Sequence, residues 1–132
     1  MFQDITPPIS KGKMLIEKYG NGGFVISKVK YSGSVIVFPD KVINWQIDKD
    51  ASLDKEVFEI LYGKELLAEF ASAEVFLIGS GKEQRDISDK IKHISKENNV
   101  NIEIMDTGAA CRTYNVLLAE GRDVAAALID VE

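Results

Sequence analysis

The apolar run Ile102-Glu103-Ile104 passes without a linker into Met105-Asp106-Thr107-Gly108-Ala109-Ala110-Cys111-Arg112-Thr113-Tyr114-Asn115, and no other stretch constrains the fold as strongly. A short strand that turns directly into a helix is half of a crossover unit. Thr107 is assigned as the N-cap, its hydroxyl accepting from a backbone N–H of the first turn. Gly108, Ala109 and Ala110 leave that turn without bulk, so a neighbouring group can approach the backbone closely. Ala110, Tyr114, Leu117 and Leu118 then share one apolar face, Arg112, Asn115 and Ala119 lie off it, and Gly121 supplies the C′ position.

The elements before this junction are marked by turn chemistry and by period. Gly20-Asn21-Gly22-Gly23 between Leu15–Tyr19 and Phe24–Ser27 predicts a hairpin, because Gly and Asn tolerate positive φ. A second turn at Tyr31-Ser32-Gly33 introduces Ser34-Val35-Ile36-Val37-Phe38, whose apolar run predicts a strand covered on both faces and ended by Pro39-Asp40. Ile43, Trp45 and Ile47 alternate with polar residues as a half-buried strand, with Trp45 in or at the rim of the core. Leu53, Val57, Ile60 and Leu61 fall at helical spacing up to a break at Gly63, and Leu66, Leu67 and Phe70 suggest a second short helix. Val75–Ile78, the turn Gly79-Ser80-Gly81 and a helix bearing Ile87, Ile91 and Ile94 follow, ended by Asn98-Asn99. Val124 to Val131 closes the chain as a strand rather than a helix. Strands first and βα units afterwards predict one domain over 1–132 of the α/β class. It has a mixed central sheet with helices packed on it, an additional N-terminal β portion, and an extended arm at 1–13.

Composition narrows the function classes. A formal charge of −5, with no clustering of Lys and Arg among aromatics, argues against nucleic acid. A lone cysteine cannot close an internal disulfide, so a reducing cytoplasm is the default compartment. No basic leader precedes an apolar run, and no run approaches the roughly 18 apolar residues of a membrane span, so neither export nor direct insertion is expected.

Each chemistry-bearing cluster has a plain structural reading beside a functional one. Gly79-Ser80-Gly81 stands where a dinucleotide fingerprint would, but Gln84 takes the place of the third glycine. It is no P-loop either, with Phe76 in the leading position and Glu83 after Lys82. Parallel strands ending at Ile78 and Met105 would nevertheless set two helix entrances side by side, where Ser80, Lys82, Thr107, Gly108 and Arg112 can surround a phosphate or carboxylate. Cys111 sits near a positive helix end beside Arg112, which favours a thiolate, yet cysteine is among the most buried residue types and His93 has no reason to pair with it. A packed, unreactive thiol is the preferred reading. Without a second His or Cys at ligand spacing, no metal and no cofactor are expected. The candidate ligand or partner site is therefore Gly79, Ser80, Gly81, Thr107, Gly108, Cys111, Arg112 and Asn115, with no catalytic residue assigned.

The run Thr-x-Ala-Ala-Cys-Arg-Thr-Tyr-Asn-x-Leu-x-x-Glu-Gly-Arg-x-Val-Ala-Ala-Ala-Leu, from Thr107 through Leu128, resembles the signature of a known family. Gly33-Ser34-Val35 to Pro39, the strand with Trp45, and Leu77-Ile78-Gly79-Ser80-Gly81 extend the likeness over nearly the whole chain. Relatives often carry Gly-Thr-Gly at that last motif, and Ser80 keeps the hydroxyl. The family, long labelled a domain of unknown function, includes the mitochondrial respiratory complex I assembly factor 3 and a vertebrate adipogenesis-associated cytosolic protein. The resemblance implies a three-layer α/β fold, no established catalytic residues, and an interaction or assembly factor that assists a membrane or respiratory complex. A protein partner and a cytoplasmic location, peripheral to the inner membrane through that partner, go with it. The competing expectation is a small-molecule enzyme or anion-binding protein using the edge near Gly79 and Thr107. A self-associating domain is the third possibility.

Overall fold

The computed structural model describes residues 13–48, 51–62 and 73–132. Its first unit is an antiparallel sheet of β1 (Ile16–Gly20), β2 (Gly23–Ile26) and β3 (Val29–Ser32), in the order β1-β2-β3. Asn21 and Gly22 join β1 to β2 at φ 52° and 77°, the positive values a two-residue hairpin turn requires. The second hairpin turns at Ser27 and Lys28, at φ 47° and 70°. Neither residue type advertises that region, so β3 carries no sequence signal and was not expected. The turn is held from outside. The Ser27 hydroxyl accepts from the Leu15 N–H at 3.0 Å and donates to the Lys13 carbonyl at 3.2 Å, and the Glu17 carboxylate accepts from the Lys28 N–H at 2.7 Å.

The second sheet contains β4 (Val35–Phe38), β5 (Lys41–Asn44), β6 (Val75–Gly79), β7 (Ile102–Met105) and β8 (Val124–Leu128), in the order β5-β4-β8-β6-β7. β6 and β7 are adjacent and parallel, registered from Phe76 against Ile102 to Gly79 against Met105, as the crossover predicts. The closing strand β8 lies in the middle, parallel to β6 and antiparallel to β4, which makes the sheet mixed. The alternation expected through Trp45 and Ile47 stops at Asn44, one residue before Trp45 and three before Ile47. β4 begins at Val35, after Ser34 and a turn at Gly33 (φ 82°), so the ladder runs out of partner after the Trp45 N–H reaches the Ser34 carbonyl at 2.9 Å. Trp45 is buried all the same.

Helices α1 (Leu53–Tyr62), α2 (Asp89–Glu97) and α3 (Thr107–Ala119) cover both faces of this sheet. The period of two sorts its side chains between two cores. Ile36, Phe76, Ile78 and Ala127 meet Val57 of α1 and Ile91 of α2. Val37, Leu77, Ala126 and Leu128 meet Tyr114 and Leu118 of α3 together with Phe24 and Ile26 of the smaller sheet. The result is three layers: α1 and α2, the five-stranded sheet, and α3 beside the three-stranded sheet. α3 ends as expected, with Gly121 at φ 78°, its N–H donating to the Leu118 carbonyl and that of Arg122 to the Leu117 carbonyl, both at 3.0 Å. Residues 1–12 of the expected arm, the break at Gly63 and the short helix expected at Leu66, Leu67 and Phe70 lie outside the described residues.

Candidate functional site

The chain leaves β6 for α2 on one face and leaves β7 for α3 on the other. Such divergence at the carboxyl ends of neighbouring parallel strands opens the crevice in which open α/β sheets hold their ligands. In this protein the two turns are laced together across the strand ends, and a cavity remains on either side of the lacing, one of about 310 Å³ lined by Ser80, Gly81, Lys82 and Arg85 and one of about 400 Å³ lined by Tyr19, Lys82, Asp106 and Gly108. The Thr107 N–H donates to the Gly81 carbonyl at 2.9 Å, and its hydroxyl accepts from the Gly81 N–H at 2.9 Å while donating to the Ile129 carbonyl at 2.7 Å. The Ser80 N–H donates to the Met105 carbonyl, and the Ser80 hydroxyl donates to the Glu83 carbonyl at 2.8 Å and accepts from the Arg85 N–H at 3.0 Å. A Cβ at Gly79 would stand 3.0 Å from Leu128 Cδ2 and equally close to the Cα and hydroxyl of Thr107, so the missing side chain admits a neighbouring strand and helix rather than a phosphate.

Two sequence expectations change here. Asp106, not Thr107, is the N-cap, its carboxylate accepting from the Ala109 N–H at 2.9 Å. Both residue types cap well, and tertiary structure decides between them, because the fully buried Thr107 hydroxyl is needed inside to join Gly81 to Ile129. The Asp106 carboxylate thereby satisfies one first-turn N–H of α3, that of Ala109. Nor do two helix entrances stand side by side: residues 82–88 separate Gly81 from α2, which starts behind its own cap, Ser88.

Along α3 the candidate residues divide. Cys111 is 3% exposed within the α3 core, and burial pushes its thiol from 9.0 up to about 12 against the opposing pull of Arg112. His93 lies on the opposite layer and pairs with Glu97 at 3.0 Å, so no cysteine–histidine couple forms. The Tyr114 hydroxyl donates to the Met14 carbonyl at 3.0 Å. The Asn115 amide brackets a single residue of β1, its oxygen accepting from the Ile16 N–H at 3.0 Å and its nitrogen donating to the Ile16 carbonyl at 2.7 Å. Asn115 thus completes a strand edge and fastens the small sheet to α3. At neutral pH the raised thiol lowers the thiolate fraction roughly 1,000-fold, and iodoacetamide is expected to label native Cys111 at least 100-fold more slowly than the urea-unfolded chain. The same shift sets an alkaline limit. The folded value is raised, so the contribution is complete below 9.0 and is lost as pH rises from there towards about 12, at about 1.4 kcal/mol per pH unit. Denaturant melts at pH 8 and pH 10 should show the loss, and Cys111→Ala should flatten it.

What remains at the surface is the outer side of α3. Arg112 is exposed, and Val116, one turn on, is 56% exposed. Tyr19, 45% exposed at the end of β1, leans over Gly108 so closely that a Cβ there would lie 2.5 Å from its hydroxyl and 3.3 Å from Arg112 Nη1. Tyr19, Arg112 and Val116 therefore form one patch. Only Arg112 carried a sequence signal, since Tyr19 is brought in by a strand about 90 residues away in the chain.

Fold and junction together define a small three-layer α/β scaffold whose strand-end turns are hydrogen-bonded to each other. The chain belongs to the family described as proteins of unknown function DUF498/DUF598, which matches residues 16–129. It is 31% identical over 119 residues to NADH dehydrogenase [ubiquinone] 1 alpha subcomplex assembly factor 3 of Xenopus tropicalis, covering 88% of this chain and 61% of that protein. The chain thus spans about three-fifths of the length of the curated relatives of that name. A second relative, the 13 kDa major membrane protein of Francisella tularensis, is 26% identical, with 88% of this chain and 90% of that protein covered. Among solved structures, that of an outer membrane protein from Bartonella henselae superimposes with a TM-score of 0.76 at 35% identity, over 92% of this chain and 98% of that one.

Proposed function

We propose that this protein is an assembly factor that works by holding a protein partner against the outer side of α3, with Arg112, Val116 and Tyr19 at the centre of the contact. The observation that carries the reading is the composition of that patch. Arg and Tyr are the residue types that anchor interfaces, and here Tyr19, Arg112 and the exposed Val116 follow one another along a helix whose inner face is committed to the core. Support also comes from the relatives named as assembly factors of NADH dehydrogenase, and the finer reading is that the partner belongs to a respiratory or other membrane complex. A cytoplasmic position, peripheral to the inner membrane through that partner, fits this role. Among the described residues no helix is long and apolar enough to cross a membrane.

Affinity capture from the native cell, followed by titration of the purified partner, tests the proposal. Arg112→Ala and Val116→Asp are each expected to weaken binding at least 10-fold, with melting temperatures within about 2 °C of the parent because both side chains are exposed. Unchanged binding in both variants would remove this face from the function. A fall in melting temperature for Arg112→Ala would show that the guanidinium instead braces Tyr19 over Gly108.

A further inference from the structure

Charge is divided unevenly along this chain. Residues 13 to 41, which build the three-stranded sheet and the first hairpin of the larger one, hold Lys13, Lys18, Lys28, Lys30 and Lys41 against only Glu17 and Asp40, with no arginine. From residue 42 onward, eighteen Asp and Glu outnumber ten Lys and Arg. The fold gathers the basic groups further. Lys18, Val25 and Lys30 are register partners across β1, β2 and β3 and so share one face of the small sheet. The neighbouring row runs through Phe24 and Tyr31, which face the core, so the lysine row faces outward. At the tip of the second hairpin Lys28, Val29 and Lys30 are all exposed, with Val29 at 52%, and the hydrogen bond from Ser27 to the Lys13 carbonyl brings the exposed Lys13 to the same end.

We propose that this outward face and hairpin tip of the three-stranded sheet bind directly to the surface of an anionic phospholipid bilayer. Charge complementarity sets the sign of the occupant, and the kind of cation sets its class. Lysines are compact point charges suited to a diffuse layer of phosphates, whereas the geometrically specific pairing of an acidic protein favours arginine forks, which this face lacks. The acidic remainder of the chain orients the molecule with this sheet towards the membrane. None of these residues belongs to the α3 patch, so the inference stands apart from the partner reading.

Co-sedimentation with phosphatidylcholine vesicles, with and without 30 mol% phosphatidylglycerol, tests it. The whole chain should bind only the anionic vesicles, and binding should weaken steeply between about 50 and 500 mM salt. The triple variant Lys18→Gln, Lys28→Gln, Lys30→Gln should lose roughly 100-fold in partitioning, while a control with the same change in charge on the helices, Lys55→Gln, Lys90→Gln, Lys96→Gln, retains it. Thermal melts of both confirm that the fold survives. Equal binding to neutral vesicles, or equal loss in the two triple variants, would overturn the assignment. Binding of poly-L-glutamate through these lysines without vesicle binding would overturn it too, by giving the face to an acidic protein.

Discussion

Thr107→Val is expected to destabilise the fold by about 2–6 kcal/mol, although it changes neither volume nor shape. The hydroxyl serves two buried backbone groups at once, accepting from the Gly81 N–H and donating to the Ile129 carbonyl. With a methyl group in its place both are left without partners, at about 1–3 kcal/mol each. For a chain of this size that corresponds to a fall of roughly 10–20 °C in melting temperature. Thr107→Ser keeps the hydroxyl and loses only a methyl, so about 1 kcal/mol is expected. Chemical denaturation of the two variants against the parent separates the hydrogen bonds from the packing. If valine and serine cost the same, the joining of the two strand-end turns does not rest on this hydroxyl.

Gly23→Ala should be nearly as damaging for a different reason. Gly23 lies opposite Ser32 in the β2–β3 ladder, and a Cβ there would stand well inside contact distance of the Tyr31 carbonyl oxygen. That obstacle is backbone in a paired strand and cannot swing aside, so the ladder must open. About 3 kcal/mol or more is expected. Ile16, Phe24 and Ile26 supply much of the core beneath α3, so the loss should appear in global unfolding and not only as local fraying. Gly108→Ala is the matched control. Its new methyl meets the end of the exposed Tyr19 side chain, which can rotate away. Stability should change by less than about 1 kcal/mol, while the Tyr19, Arg112 and Val116 patch is disturbed. A Gly23→Ala protein as stable as the Gly108→Ala protein would show that the small sheet bends to admit the methyl group.

Much of the fold is legible from local chemistry. Asn21-Gly22 makes a hairpin because both residues accept positive φ. The apolar run of β4 is buried on both faces, the helical spacing of Ile91 and Ile94 matches the inner face of α2, and the strand-to-helix junction at residues 102–115 forces β7 beside β6. Each of these is decided within a dozen residues, where steric limits and hydrophobic period act directly. The candidate site was legible only in part. Cys111 is packed away, as its residue type favours, and Arg112 stands off the apolar face as helical spacing requires. Thr107 and Asn115 looked like surface or ligand groups because their polarity is local information, whereas the backbone groups they satisfy, in Gly81, Ile129 and Ile16, come from elsewhere in the chain.

By itself, then, the sequence determined the type of most described elements though not β3, the parallel crossover of β6 and β7, the mixed α/β class and the family likeness that runs through Leu128. These follow from periodicity, turn chemistry and the residues of one contiguous stretch. Only the tertiary structure decided that the last strand enters the middle of the sheet, where Ala125, Ala126 and Ala127 leave room for layers on both faces. It also decided that Asp106 caps α3 while Thr107 turns inward, that β3 exists behind a turn with no signature, and that lysines of β1 and β3 share one outward face. The physical reason is common to all four. Which strand lies beside which, and which buried polar group finds which partner, is settled by contacts between residues far apart in the chain, and no local propensity carries that information.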